Sequence, residues 1–104
     1  TTITRVQQQV LEQLDQTFTV ESLARMASMS PRHFARVFAQ EVGMTPMAFI
    51  QSVRFDHARQ LLETSDLPLK TVAFKSGFGS VRHMRFLFNE RLSLTPAQYR
   101  EQFS

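Results

Sequence analysis

Two short stretches of this 104-residue chain each place arginine on one face of a predicted helix. In residues 30–42 and residues 80–92, four positions share a face at spacings i, i+3, i+4 and i+7. The residues on the two faces are Arg32, Ala35, Arg36 and Ala39, and Arg82, Arg85, Phe86 and Asn89. Arginine can form paired hydrogen bonds with guanine, small residues permit close approach, and apolar groups can contact a thymine methyl. These carboxylate-free faces are typical of helices that lie in the major groove of DNA.

The two stretches are copies of one unit. Residues 30–50 align with residues 80–100 at an offset of fifty, and most of their large apolar positions stay apolar. The identical pairs are Ser30 and Ser80, Arg32 and Arg82, His33 and His83, Phe38 and Phe88, Thr45 and Thr95, and Pro46 and Pro96. We therefore expect both copies to share one backbone and one buried face. Upstream of residues 30 and 80 the two copies align at an offset of 49 instead of fifty. This difference predicts one extra residue in the turn that precedes residue 80.

Helical periodicity and start signals predict an all-α fold of about seven helices. Thr19, Ser30 and Thr45 are the predicted N-caps of the first copy. Gly43 is predicted to end the helix that begins after Ser30. The helix pairs around Ser28 and Gly77 are predicted helix-turn-helix units. We expect a first subdomain over residues 1–45, a linker helix over 46–63 and a second subdomain over 64–104. Leu11, Leu92 and the methionines are assigned mainly to core or staple positions.

Composition excludes several classes of function. The chain has no cysteine, so it can form neither a disulfide nor a thiolate metal site. His33, His57 and His83 match no metal-ligand spacing, and His57 beside Asp56 is more typical of an exposed or half-packed residue than of a catalytic one. We expect no enzymatic activity, no cofactor and no metal. Neither a membrane span nor a signal peptide is visible, so a cytoplasmic protein is the expectation.

The net charge of +3 is weak evidence for a polyanionic partner. Most of the twelve basic residues are arginine, and the base composition of a GC-rich genome would explain that preference equally well. Phe86 is open to two interpretations of equal weight, contact with a base or packing back onto the neighbouring helix pair. A protein-interaction module made of amphipathic helices is the alternative function. RNA binding is disfavoured because the motifs of the common RNA-binding domains are missing.

Several motifs in a fixed order resemble the DNA-binding domain of the AraC/XylS family. The matching segments are residues 30–38, 43–46, 54–62, 77–78 and 95–100, so the resemblance covers nearly the whole chain. It implies two helix-turn-helix subdomains joined by a rigid linker helix, with two recognition helices in successive major grooves of double-stranded DNA. A linker of this length spans roughly 25 Å, which is compatible with recognition helices about one turn of DNA, ~34 Å, apart.

The resemblance also implies roles for individual residues. The base-reading candidates are Arg32, Ala35 and Arg36 in the first copy, and Val81, Arg82, His83, Arg85 and Phe86 in the second. The phosphate-binding candidates are Ser30, Arg54 and Ser80. The family often has a basic residue at position 86, a serine at position 82 and a glycine at position 93, so the second copy departs from the pattern. The resemblance further implies a bacterial transcription factor with an N-terminal effector or dimerisation domain, and possible contact with RNA polymerase.

Overall fold

The structure, a computed structural model, describes all 104 residues and contains seven helices and no strand. The all-α prediction is therefore confirmed. The helices are α1 (Thr2–Glu12), α2 (Val20–Met26), α3 (Pro31–Val42), α4 (Pro46–Thr64), α5 (Leu69–Lys75), α6 (Val81–Leu92) and α7 (Pro96–Phe103). By the packing of these helices the chain divides into two compact units, Thr1–Ser52 and Val53–Ser104. The boundary falls within α4, and the three-part division expected from the sequence stays a prediction.

Local capping explains where the helices begin. The hydroxyl of Thr19 accepts a hydrogen bond from the backbone N–H of Ser22 at 3.0 Å, and the Ser22 hydroxyl accepts one from the Thr19 N–H. Ser30 caps α3 by accepting from the His33 N–H at 3.2 Å, and Ser80 caps α6 by accepting from the His83 N–H at 3.1 Å. The predicted N-caps Thr19 and Ser30 are therefore confirmed, and Ser80 is the equivalent cap in the second copy.

The two helix-turn-helix turns use the same hydrogen bonds. At the end of α2 the N–H of Met29 donates to the Ala24 carbonyl, and at the end of α5 the N–H of Phe78 donates to the Ala73 carbonyl. Ser28 and Gly77 occupy the left-handed corner at φ 56° and 87°. This is the Schellman arrangement of helix ends. Because the pairing of Met29 with Phe78 keeps the offset of 49, the predicted extra residue of the second turn is Gly79.

The first unit has its core between α1, α2, α3 and the start of α4. Ile3, Val6 and Val10 of α1 are buried, as the predicted stripe requires. Leu11 lies at the edge of that stripe and is half exposed, so its assignment to the core was wrong. Phe38 is the central residue of α3, because its ring lies 5.6 Å from the rings of both Phe34 and Phe49.

The second unit has its own core, centred on α6. Phe88 is fully buried, and its ring lies 4.7 Å from that of Phe55 and 5.6 Å from that of Tyr99. The other buried members of this core are Ala58, Leu62, Val72, Ala73, Phe78, Met84 and Leu87. Leu92 is more than a third exposed because it is the last residue of α6, at the edge of the core, which contradicts its predicted inward position.

Contacts of α7 hold the end of α4 in place. The Arg100 guanidinium donates from Nη1 to the Leu67 carbonyl at 2.8 Å and from Nε to the Leu62 carbonyl at 3.3 Å. The Tyr99 hydroxyl donates to the Glu63 carboxylate, and burial raises the pKa of that hydroxyl, with the hydrogen bond adding to the effect. The Leu62 carbonyl lies in the last turn of α4, where carbonyls have no partner within the helix, so the Nε bond stabilises that turn. The Nη1 bond holds the loop that follows α4.

The methionines are divided between core and surface. Met84 is fully buried, whereas Met44 and Met47 are each more than a third exposed at the junction of α3 and α4. The prediction placed the methionines mainly at core or staple positions, and of these three only Met84 is a core residue.

The ends of the two recognition helices provide a test of backbone strain. Gly43 and Ser93 are equivalent C-caps, and both are left-handed, at φ 87° and 56°. A residue with a Cβ is strained in this conformation, so Ser93→Gly is expected to raise the free energy of unfolding by about 0.5 to 1 kcal/mol. Gly43→Ser should lower it by a similar amount, since a Cβ at Gly43 would meet no atom within 4 Å. Urea denaturation followed by circular dichroism measures both changes, and shifts of the same sign would contradict the prediction.

Candidate nucleic-acid interface

The outer face of α3 is set by the burial of its inner face. Phe34 and Phe38 are fully buried, so the helix can present only its opposite side to a ligand. Arg32, Arg36 and Ala39 are exposed there, and Ala35 is half-buried. The structure thus brings the predicted base-reading residues of the first copy together on one accessible face.

His33 holds Arg36 on this face. The Nδ1 atom of His33 lies 3.0 Å from the Nη2 atom of Arg36, one turn along α3. Because a guanidinium only donates hydrogen bonds, Nδ1 of His33 is the acceptor, and in the neutral ring Nε2 carries the proton. His33 was not among the base-reading candidates of the first copy. The i, i+3 spacing of the two residues was the signal that could have identified the pair.

The outer face of α6 is built in the same way. Met84, Leu87 and Phe88 are buried, and the residues exposed on the helix include Arg82, His83, Arg85, Phe86 and Asn89. Phe86 is 62% exposed, so its ring does not pack back into the second unit. Val81 is half-buried and packs against the core of this unit, which gives it a structural role at the start of α6.

His83 is held differently from His33. Its Nδ1 atom lies 3.3 Å from the carbonyl oxygen of Phe78, and its ring meets the Phe78 ring edge to face at 5.4 Å. A carbonyl only accepts, so Nδ1 is the donor, and in the neutral ring Nε2 is an acceptor. The two copies therefore present different hydrogen-bonding atoms at the same position, a donor in His33 and an acceptor in His83.

The predicted phosphate-binding residues lie at two kinds of position. Ser30 and Ser80 are exposed, and because each hydroxyl oxygen accepts the capping hydrogen bond, its proton remains available to donate to a phosphate oxygen. Arg54 is half-buried on α4, and burial lowers the pKa of its guanidinium. The group stays charged at neutral pH, so it retains the charge that binding a phosphate requires.

His57 has a structural partner. Its Nδ1 atom lies 3.3 Å from the hydroxyl of Ser76, the fully buried C-cap of α5, so the imidazole links α4 to the second helix-turn-helix. Asp56 contacts Arg59 instead of His57, at 3.6 Å. Burial lowers the pKa of His57 from its ordinary value of 6.5, and the charge of Lys75 lowers it further.

This lowered pKa predicts a pH dependence of stability. The unfolded chain takes up a proton at His57 more readily than the folded chain, so the free energy of unfolding should decrease as pH falls through 6.5. The measurement is urea denaturation of the wild type and of His57→Gln at about pH 7.5 and about pH 5.5. We expect the wild type to lose more stability on acidification than the variant. An equal loss in both proteins would show that His57 does not couple folding to protons.

The structure contains neither a cluster of metal ligands nor a membrane-spanning helix. No group of three or more His, Asp or Glu side chains is placed to hold a metal ion. None of the seven helices combines the length and the apolar character needed to span a membrane.

Comparisons with known proteins agree with this geometry. A family model described as a helix-turn-helix domain matches residues 23–102. An HTH-type transcriptional regulator of Mycobacterium tuberculosis is 40% identical over 85 residues, covering 82% of this chain and 33% of that protein. The RCS-specific HTH-type transcriptional activator RclR of Escherichia coli is 36% identical over 95 residues, covering 91% of this chain and 34% of that protein. The chain thus spans about a third of the length of these curated relatives.

A solved structure also resembles this one. The DNA-binding domain of AdpA, a global transcriptional factor crystallised in complex with a target DNA, matches with a TM-score of 0.92 and 38% identity. The match covers 97% of this chain and 91% of that chain.

Proposed function

Since this chain belongs to the AraC-type helix-turn-helix family of transcriptional regulators, we propose that it binds a bipartite DNA site through the exposed faces of α3 and α6. The observation that carries the proposal is the duplicated recognition helix. Each copy buries an apolar face in its own unit and exposes arginine at equivalent positions, Arg32 and Arg82. A helix of this kind can lie in a major groove while its unit packs behind it.

The base contacts of this site come from both helices. In the first unit we assign them to Arg32, Ala35 and Arg36, and in the second to Arg82, His83, Arg85 and Phe86. Val81 is half-buried. Its covered surface packs at the start of α6, and its exposed surface contacts a base edge. Ser30, Ser80 and Arg54 bind phosphates and so fix the register of the helices on the duplex.

The whole protein extends beyond this domain. Because the relatives are about three times as long as the matched segment, we propose an additional effector or dimerisation domain on the N-terminal side. The complete regulator acts on the chromosome in the bacterial cytoplasm, without catalysis, and activation would involve contact with RNA polymerase.

Selection of bound sequences from a random pool of DNA duplexes tests the proposed function. With the 104-residue chain we expect two short boxes about one helical turn apart, and a specific-over-random ratio above ~10³. Affinity for the selected site should fall steeply with added salt, because bound phosphates release counterions. Enrichment of a single box would limit base reading to one unit. No enrichment at low salt would favour the protein-interaction alternative.

A further inference from the structure

Phe86 occupies the position on α6 that Arg36 occupies on α3. The offset of fifty pairs the two residues, and the neighbouring identities of Arg32 with Arg82 and of His33 with His83 fix the alignment. Both positions are exposed on the outer face of their helix. The duplicated unit therefore carries an arginine in one copy and an aromatic ring in the other at the same place.

The packing of the second unit does not explain why an exposed phenylalanine stands at position 86. The core of the second unit is filled by other side chains of α6, among them Phe88, whose ring is fully buried two residues away. Full burial of a phenylalanine side chain stabilises a protein relative to leaving the side chain exposed. With 62% of its surface in solvent, Phe86 forgoes most of that stabilisation in the free domain. A bound partner that covers the ring would recover it.

The surroundings of the two positions differ as well. Arg36 is held by Nδ1 of His33 at 3.0 Å, whereas the equivalent atom of His83 is directed to the carbonyl of Phe78 at 3.3 Å. The second copy therefore lacks both the arginine and the histidine contact that holds it. This paired difference indicates that the position has a different binding chemistry in the second copy.

Building on the proposed function, we infer that Phe86 recognises the C5-methyl group of a thymine, where Arg36 pairs with a guanine. A phenyl ring can make no hydrogen bond to a base edge or to a phosphate. The thymine methyl is the apolar group that the major groove displays, and phenylalanine is one of the side chains that contact it. The two boxes of the site then differ at equivalent positions, which gives the bound regulator one orientation on its operator.

The charges around Phe86 favour DNA over an apolar protein surface as the partner. Arg82 lies one turn before Phe86, Arg85 is the preceding residue, and both are exposed. Two guanidinium groups beside the ring suit a polyanion. Glu90, the one carboxylate of α6, lies one turn after Phe86, so two arginines and one carboxylate are the charged neighbours of the ring on this helix.

Replacement of thymine by deoxyuridine tests the inference, because it removes only the methyl group. In the site selected by the wild-type chain, each thymine of the box bound by α6 is replaced in turn. At one position we expect the affinity to fall by about fourfold, the loss expected for one buried methyl group. Phe86→Ala should bind the thymine and deoxyuridine duplexes equally, whereas Phe86→Leu, which remains apolar, should keep part of the preference.

Phe74→Ala is the matched control. Phe74 is 63% exposed, as much as Phe86, but it lies on α5. This variant should retain the full preference for thymine, which would show that losing any exposed ring is not sufficient. In a renewed selection, Phe86→Arg should change the preferred base at that one position from thymine to guanine.

Two results would overturn the inference. One is a selected site in which no thymine-to-deoxyuridine replacement changes binding, and the other is a Phe86→Ala variant that keeps the thymine preference. Either result would remove the base contact assigned to Phe86 but leave the proposed binding of a bipartite DNA site intact, because two boxes would still be bound. Failure of the chain to select any sequence would instead contradict the proposed function itself.

Discussion

Phe88→Ala is expected to lower the free energy of unfolding of the chain by about 3 to 5 kcal/mol. Phe88 is fully buried, and its ring packs against the rings of Phe55 and Tyr99. The substitution removes the transfer free energy of the ring, leaves a cavity and breaks both aromatic pairs. The partners cannot easily collapse into the space, because Phe55 is also contacted by the guanidinium groups of Arg59 and Arg91 at 5.5 and 5.1 Å.

Urea denaturation followed by helical circular dichroism measures this effect. Phe86→Ala is the matched control, because it removes the same side chain from the exposed face of the same helix and should change stability by less than about 0.5 kcal/mol. Since all buried members of this core belong to the second unit, the loss should be concentrated there. Equal destabilisation by the two substitutions would contradict the assignment of Phe88 to the core and Phe86 to the surface.

The fold was predictable because the sequence contains the same helical pattern twice. Apolar positions that recur at an offset of fifty define the inner faces of α3 and α6, and the caps Ser30 and Ser80 define their starts. Each signal is local, so it can be interpreted without knowledge of the rest of the chain. The duplication then adds independent support, since the second copy has the same helices as the first.

Burial at helix ends was less predictable. Leu11 and Leu92 have the apolar character and the approximate spacing of core residues, yet Leu11 is half exposed and Leu92 is more than a third exposed. Whether a side chain near the end of a helix is covered depends on where the next segment of the chain runs. Periodicity contains no information about that path.

The exposure of the candidate residues was predictable, but their contacts were not. The exposed arginines follow from helical phase, since the opposite face is apolar. Helical phase does not predict the contacts of His33 and His83, because these identical residues in aligned copies have different hydrogen-bond partners. The contact of His33 requires an arginine, which is present at position 36 and absent at position 86. The contact of His83 is made to the turn before α6, which contains the additional residue Gly79. Side-chain partners of this kind are visible only in three dimensions.

Arg36→Ala is expected to weaken binding to the selected DNA site by about 1 to 3 kcal/mol, a factor of about 5 to 150 in affinity. The Arg36 guanidinium is exposed on α3 and held by His33, so it is positioned before DNA binds. A positioned guanidinium loses less side-chain entropy when it pairs with the guanine edge. The loss of affinity should occur with relaxed specificity at one base pair in the box bound by α3, because the other contacts remain.

Two further variants separate base reading from charge. Arg36→Lys keeps the positive charge but loses the planar pair of donors, so it should retain the salt dependence of binding while relaxing the same base pair. Arg5→Ala removes the same charge from the exposed surface of α1, and should have only a small effect that is uniform over all sequences. Competition binding against a panel of single-base variants of the site, repeated over a salt series, measures all three. If Arg36→Ala weakened every sequence equally and reduced the salt dependence, Arg36 would bind a phosphate, and the guanine contact would have to be assigned to Arg32.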